Sequence, residues 1–407
     1  MEARRRAGLA ARVLLALLSV GVLAAAGSGW VLQQQLRTET VTSNALTPRS
    51  APIPEGEPFT ALLVGLDART DAAGNPLPPQ LLDALHAGAD EGQLHTDTMI
   101  LLRVPGRSGG PATAISIPRD SYVPIVGERG KHKINSAYRR GVDEAQQALS
   151  AEGVTGTDLD RRSREAGRQK LIASVENLTG TTIDHYAEIN LAGFVELTDA
   201  LGGVSVCLNT AVRDSYSGID LPAGQQSVSG AAALAFVRQR HGLDGGDLDR
   251  IGRQQAFAAG LAQRLQDGGA LSDATRLNQL VRIVSRYVVL DRDWDIDGAI
   301  SQLRRFTGED LVFRTIPTGR IDLQTPVDGI AVEIDQDAVR AFVASVLDPS
   351  ALAAPPAGAP SATIAPAASP RPGAAPTGTP TPSAAAGSTE QPYASRIITA
   401  DGIPCVN

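Results

Sequence analysis

The stretch IDHYAEINLAGFVELTDALGGVSVCL, residues 183–208, sets the fold class. IDHYAEIN (183–190) reads as a strand and LAGFVELTDAL (191–201) as a helix that Gly202-Gly203 ends. VSVCL (204–208) is a second strand. Upstream, FTALLVGLD (59–67) is a short apolar run closing in Gly and Asp. TMILLRV (98–104) and ATAISI (112–117) are further strands, separated by the turn Pro105–Gly110. Residues 70–95 form a long insertion with Asn75-Pro76, Pro78 and Pro79, holding a short helix at 80–87. Helices are expected at 136–150 and 162–179. Downstream, 217–230 is a loop or hairpin leading to helices at 230–237, 248–267 and 272–286. This alternation predicts an α/β protein, a three-layer α/β/α arrangement with helices on both faces of a central mixed sheet. The folded domain is expected to run over 58–347.

The flanks are of a different kind. Residues 1–12 carry Arg4, Arg5, Arg6 and Arg12, and residues 13–32 carry no charge. About 20 apolar residues suffice to cross a bilayer. Arginines ahead of the span keep the N-terminus cytoplasmic and send the remainder outside. A cleaved signal peptide, cut near Ala24 to Gly27, is the alternative; the apolar run continues to Leu32, which favours a transmembrane anchor. Either way the main domain is extracellular. Residues 33–57 read as a tether. Residues 348–394 are Ala, Pro, Ser, Thr and Gly with almost no large apolar side chains, and are expected to be disordered. The segment 395–407 turns apolar again and holds Cys405. Cys207 and Cys405 are the two cysteines of an exported chain, which predicts a disulfide between them.

The net charge is −7, which argues against a nucleic-acid partner. Lysine is rare, at 3 against 34 arginines, so a single arginine says little and convergence says more. VRQRHGLDGGDLDRIGRQQ (237–255) offers such convergence. Arg238 and Arg240 share a face if the segment is extended. Asp247 is a good N-cap for the following helix, and Asp247, Arg250 and Gln254 fall on one face of it. Arginine forks and a helix N-terminus together suit a ligand with several negative oxygens. If 59–66, 98–104 and 112–117 are neighbouring antiparallel strands, Asp67, Asp97 and Arg119 meet at one end of the sheet. Two carboxylates there suit Mg²⁺. Arg69 is within reach, and Lys133 and Asn135 open a helix nearby. Arg119-Asp120 also fits a turn ion pair, Arg253 fits a solvated helix face as well as the site, and Asp249 is expected to face solvent. His95, His132 and His241 read as loop histidines.

GLDAR (65–69), HTDTMILLRV (95–104), ISIPRDSYV (115–123), KINSAY (133–138) and VRQRHGLDGGDLDRIGRQQ (237–255) together resemble the LytR-CpsA-Psr family, of the actinobacterial type. Ala200-Leu201-Gly202-Gly203-Val204 and Ser217–Gly224 resemble its connecting segments. The resemblance covers about 59–270. It implies a membrane-anchored phosphotransferase that moves a glycopolymer from a polyprenyl-pyrophosphate carrier to peptidoglycan. It implies metal binding at Asp67 and Asp97. Pyrophosphate binding falls to Arg69, Arg119, Lys133, Arg238, Arg240 and Arg250, and Asp247 and Gln254 match the helix acid and amide. Asp120 and Asp247 both remain open as proton acceptors. The lipid requires an apolar slot, expected among residues 171–201, for which ordinary core is the default reading. A polyprenyl-pyrophosphate hydrolase and a non-catalytic wall-assembly scaffold are the rival functions.

Overall fold

Phe59–Asp67 buries side chains on both of its faces, and two layers of helices rest on it. The structure, a computed structural model, describes residues 40–47, 53–54, 56–85, 92, 94–107, 109–240, 242–243, 245–266, 274–294, 310–347, 398–399 and 402–407. The strands are β1 (Val41–Ser43), β2 (Phe59–Asp67), β3 (His95–Val104), β4 (Ala112–Ser116), β5 (Ser121–Pro124), β6 (Lys131–Lys133), β7 (His185–Asn190), β8 (Val204–Leu208), β9 (Val212–Asp214), β10 (Ile219–Leu221), β11 (Gly224–Val228), β12 (Val288–Asp291), β13 (Leu311–Thr315), β14 (Leu323–Gln324), β15 (Ile330–Glu333), β16 (Ile398–Thr399) and β17 (Cys405–Val406). The helices are α1 (Pro79–Ala84), α2 (Ala137–Ala151), α3 (Gly156–Thr179), α4 (Leu191–Ala200), α5 (Gly230–Arg238), α6 (Asp247–Gln266), α7 (Ala274–Tyr287) and α8 (Gln336–Leu347).

The main sheet is mixed, in the order β1-β12-β7-β2-β3-β4-β13-β16. β2 pairs antiparallel with β3, and β3 antiparallel with β4, as the three apolar runs predict. β7 lies parallel on the other side of β2. Alternate residues of a strand point to opposite faces. Leu62, Val64 and Leu66 pack against Tyr138, Leu171, Val175 and Val339 of α2, α3 and α8. Ala61, Leu102 and Ala114 pack against Ala259 of α6. Helices therefore cover both faces.

Several strands are not apparent in the sequence. β12 follows α7 without a break, so Val288-Val289-Leu290 simply continues the helix's apolar pattern. β13 joins the sheet beside β4, and β15 lies beside β5. β1 falls inside the expected tether, yet it pairs with β12. Helix α3 begins six residues before its expected start at 162. The expected cytoplasmic segment and anchor at 1–32 lie outside the described residues, as does the segment 348–397. Among the described residues no helix is long and apolar enough to cross a membrane.

The disulfide forms between Cys207 and Cys405, whose Cα atoms are 4.3 Å apart. It joins β17 to β8 in the small sheet β11-β8-β17 rather than in the main sheet.

Helix α6, which carries Asp247 and Arg250, is seated by a glycine. A Cβ on Gly260 would stand 2.2 Å from the Ser205 carbonyl oxygen of β8. Gly260→Ala gains helix propensity of about 1 kcal/mol. Overpacking against backbone costs about 1–3 kcal/mol. We expect net destabilisation of Gly260→Ala in urea unfolding; a more stable variant would contradict this seating.

Candidate functional site

Asp67 ends β2, Asp97 lies near the start of β3, and Arg119 follows β4. The register between β2 and β3 slips at Gly65/Leu66: Gly65 faces Thr98, Leu66 faces Thr96, and Asp97 is the extra residue. A bulge of this kind re-aims a side chain. Its signature is that Thr96 and Met99, three apart, touch on one face, Oγ1 to Sδ at 3.5 Å. Without the bulge those two would point to opposite sides. The slip leaves Asp97 pointing away from the core, where Arg119 Nη1 donates to its Oδ1.

The cluster grows from there. Arg69 Nη1 donates to Asp67 Oδ1 at 2.8 Å. Arg119 Nε lies 3.6 Å from Asp120 Oδ1, which Lys133 Nζ approaches at 3.2 Å. Arg250 Nη2 donates to Asp247 Oδ1, one helical turn away on α6. Arg238, Arg240 and Arg250 all act on the Asp97 carboxylate, and Arg238 also acts on Asp67. Arg119 feels Asp97, Asp120 and Asp247 together. Six cationic side chains thus meet four carboxylates.

The local structure differs from expectation at several points. Arg238 is the last residue of α5, and the chain extends only from Gln239. Helix exit at that point still brings Arg238 and Arg240 to the same carboxylate. Lys133 ends β6, and Asn135 sits in a 3₁₀ turn, Ile134–Ser136, ahead of α2. Asn135 acts through its backbone: its N–H donates to the Arg119 carbonyl (3.1 Å), and its carbonyl accepts from Thr96 Oγ1 (3.5 Å). Asp247 is the first residue of α6 rather than its N-cap. Asp249, expected in solvent, instead accepts the Gly245 N–H at 2.8 Å and closes the glycine turn. Gln254 Nε2 reaches the Val237 carbonyl at 3.4 Å, tying α6 to the end of α5. Arg253 is fully buried rather than on a solvated face. His95 and His132 lie in strands, and His132 Nδ1 is 3.0 Å from Asp328 Oδ2; His241 lies outside the described residues.

Asn190 supports the site from outside the sequence motifs. Its Oδ1 caps α4 by accepting the Gly193 N–H (2.8 Å), and its Nδ2 holds the Thr70 carbonyl (2.6 Å), next to Arg69. Asn ahead of an apolar helix is an N-cap signal, but nothing in sequence links it to residue 70. Of residues 171–201, where either a lipid slot or ordinary core is expected, several are core. Leu171, Val175, Leu178 and Tyr186 are fully buried core. Ile172, Ala173 and Ile183 do line a cleft of about 760 Å³. That cleft adjoins Asp184, whose carboxylate accepts the Thr60 N–H at the start of β2. By strand rise this is roughly 23 Å from Asp67.

Burial pushes the Asp67 carboxyl above its ordinary value, and the neighbouring Asp97 charge adds to this against Arg69 and Arg238. Burial also opposes charge on Asp97, but Arg119, Arg250, Arg238 and Arg240 outweigh it and hold that carboxyl low. Asp247 is raised, chiefly by burial, despite Arg250. Asp97 therefore adds stability above the ordinary value of 3.8, lost as pH falls through its lower folded value. Asp67 and Asp247 act in the opposite sense, and their protonation relieves strain on acidification. Carboxyl ¹³C NMR during acidification should show Asp67 and Asp247 titrating above 3.8 and Asp97 below it. The reverse order would refute this electrostatic reading.

Among the described residues no group of three or more His, Cys, Asp and Glu side chains is arranged to hold a metal. Asp67 and Asp97, close enough to repel, are a donor pair that a divalent cation would relieve. Two carboxylates, with the shell completed by water and phosphate oxygens, suit Mg²⁺ and not a tetrahedral zinc site.

The LytR_cpsA_psr family model matches residues 30–342, well beyond the span in which the motifs lie. The chain belongs to this family. Among its relatives, the cell wall biosynthesis protein LcpA of Corynebacterium glutamicum is 45% identical over 287 residues, 70% of this chain and 55% of LcpA. The probable cell wall biosynthesis protein LcpB of the same organism is 37% identical over 53% of this chain and 44% of its own length. The chain thus spans about half the length of these two curated relatives. A Bacillus subtilis family member, the polyisoprenyl-teichoic acid–peptidoglycan teichoic acid transferase TagU, is 25% identical over 66% of this chain and 72% of TagU. The crystal structure of B. subtilis TagV shares the fold, with a TM-score of 0.51 at 21% identity, covering 72% of this chain and 98% of TagV. The family's sheet, with helices on both faces, is thus the scaffold on which the arginine cluster is built.

Proposed function

We propose that this chain is an extracytoplasmic, membrane-anchored phosphotransferase. It attaches a glycopolymer from a polyprenyl-pyrophosphate carrier to peptidoglycan, with Mg²⁺ held by Asp67 and Asp97. The observation that carries this is the convergence of Arg69, Arg119, Arg238, Arg240 and Arg250, from four separate parts of the chain, around two coupled carboxylates. Membership of a family that includes a teichoic acid transferase supports it.

The roles follow from the contacts. The bound cation would supply Lewis-acid charge neutralisation to a diphosphate oxygen. Arg119, Arg238, Arg240 and Arg250 hold the non-bridging oxygens and stabilise charge growing on the leaving group. The acceptor sugar hydroxyl forms a new O–P bond at the sugar-proximal phosphorus. The bond to polyprenyl phosphate breaks, and the hydroxyl proton passes to a carboxylate. Asp247 suits that last step better than Asp120. Burial raises its affinity for a proton, and Arg250 holds only its Oδ1. Asp120 is engaged by Lys133 and Arg119.

Purified protein, Mg²⁺ and a radiolabelled polyprenyl-pyrophosphoryl saccharide, with and without peptidoglycan, test this. Label should move to peptidoglycan. Carrier cleavage at the same rate without peptidoglycan would make the protein a hydrolase, and no cleavage at all would leave a scaffold.

A further inference from the structure

Arg253 is a buried cation outside the cluster. It is about 1% exposed, and burial pulls its guanidinium down to about 10. Burying arginine is costly unless its donors are used. Arg253 uses Nε, while its Nη1 is buried without a hydrogen-bond partner, and the side chain lies where three pieces of chain meet. It sits on α6 between Arg250 and Gln254. Its guanidinium lies over the Phe236 ring, 5.3 Å from the centroid, on α5 two residues before Arg238. Its Nε donates to the Asn407 carbonyl.

Asn407 is itself held. The residue follows β17, which pairs with β8 through Cys405 and Val406. The disulfide fixes that pairing. Asn209 Nδ2 donates to Asn407 Oδ1 at 2.8 Å, and the Asn209 N–H donates to the Val406 carbonyl at 2.9 Å. The tail also meets α6 about three turns further along, where Gln263 Nε2 donates to the Gly402 carbonyl at 2.9 Å.

We propose that Arg253, anchored by the disulfide-held tail, is a positioning residue that fixes α6 against α5 so that Asp247 and Arg250 converge with Arg238. It rests on the transferase reading only for its kinetic readout. Arg253 touches no reacting group. It acts through the helix register, and displacement of catalytic groups by about 1 Å costs on the order of 100-fold in rate.

The test uses the full chain with Arg253→Met, which keeps the apolar stem, Arg253→Lys, which restores a cation, and Asn209→Ala, which loosens Asn407 from the surface. Each is first checked by thermal melt. The expected result for folded Arg253→Met is a kcat on the carrier saccharide lower by about 10- to 100-fold, with KM changed far less. Partial recovery is expected in Arg253→Lys, and a smaller loss in Asn209→Ala. Carboxyl ¹³C titration of Asp247, which needs no substrate, should move in Arg253→Met and return toward wild type in Arg253→Lys. An unmoved Asp247 titration, wild-type kcat, or a kcat loss that merely tracks the unfolded fraction overturns the proposal. A wild-type protein inactive on the carrier would sink the transferase reading and leave the Asp247 titration to decide this one.

Discussion

Asp97→Asn should lower turnover of the carrier substrate by about 10²- to 10³-fold, the scale on which a single preorganised charge contact matters. The side chain keeps its size but loses the charge that Arg119, Arg250, Arg238 and Arg240 surround. Arg119 loses its ion pair to that carboxylate and turns toward Asp120, which it already approaches at 3.6 Å. Half of the proposed Mg²⁺ donor pair disappears at the same time, so calorimetry should show Mg²⁺ affinity falling together with rate. The fold should survive, because Asp97 sits on a bulge outside the core rather than among the packed residues of β3. A variant that melts like wild type and turns over at more than about a tenth of its rate would exclude the charge-centred mechanism.

Removing the disulfide should have the largest effect on stability. Cys207 and Cys405 are 198 residues apart. The chain-entropy relation gives about 5 kcal/mol for closing so long a loop. Residual order in the unfolded chain reduces that figure. Even so, the loss is large against a typical domain stability of about 5–15 kcal/mol. Urea unfolding of the Cys207→Ser/Cys405→Ser double variant measures it. A difference below about 1 kcal/mol would mean that the two-residue pairing of β17 with β8, with its flanking hydrogen bonds, holds the tail unaided.

Much of the site could be read from the chain because its parts are strand ends and helix starts. Asp67, Asp97 and Arg119 meet once three apolar runs are paired antiparallel, and the pairing needed only their order and lengths. Arg250 and Asp247 share a helix face by spacing alone. What could not be read is where the backbone departs from regularity. The bulge at Asp97 depends on a register slip between two strands. The end of α5 at Arg238 depends on where the packed helix exits. Spacing alone lets Arg253 fit a solvated helix face as well as the site, because its contacts with Phe236 and Asn407 are distant in sequence.

By itself the sequence determined the periodic elements, the α/β class, the pairing of Cys207 with Cys405 and the identity of the charges that gather. These rest on local spacing and residue chemistry, which a chain carries before it folds. Only the tertiary structure decided how β1, β12, β13 and β16 extend the sheet, which carboxylates hold a proton more tightly than usual, and that Arg253 links the tail to the site. Those depend on which distant segments exclude water from each other, a property of the packed chain that no single stretch contains.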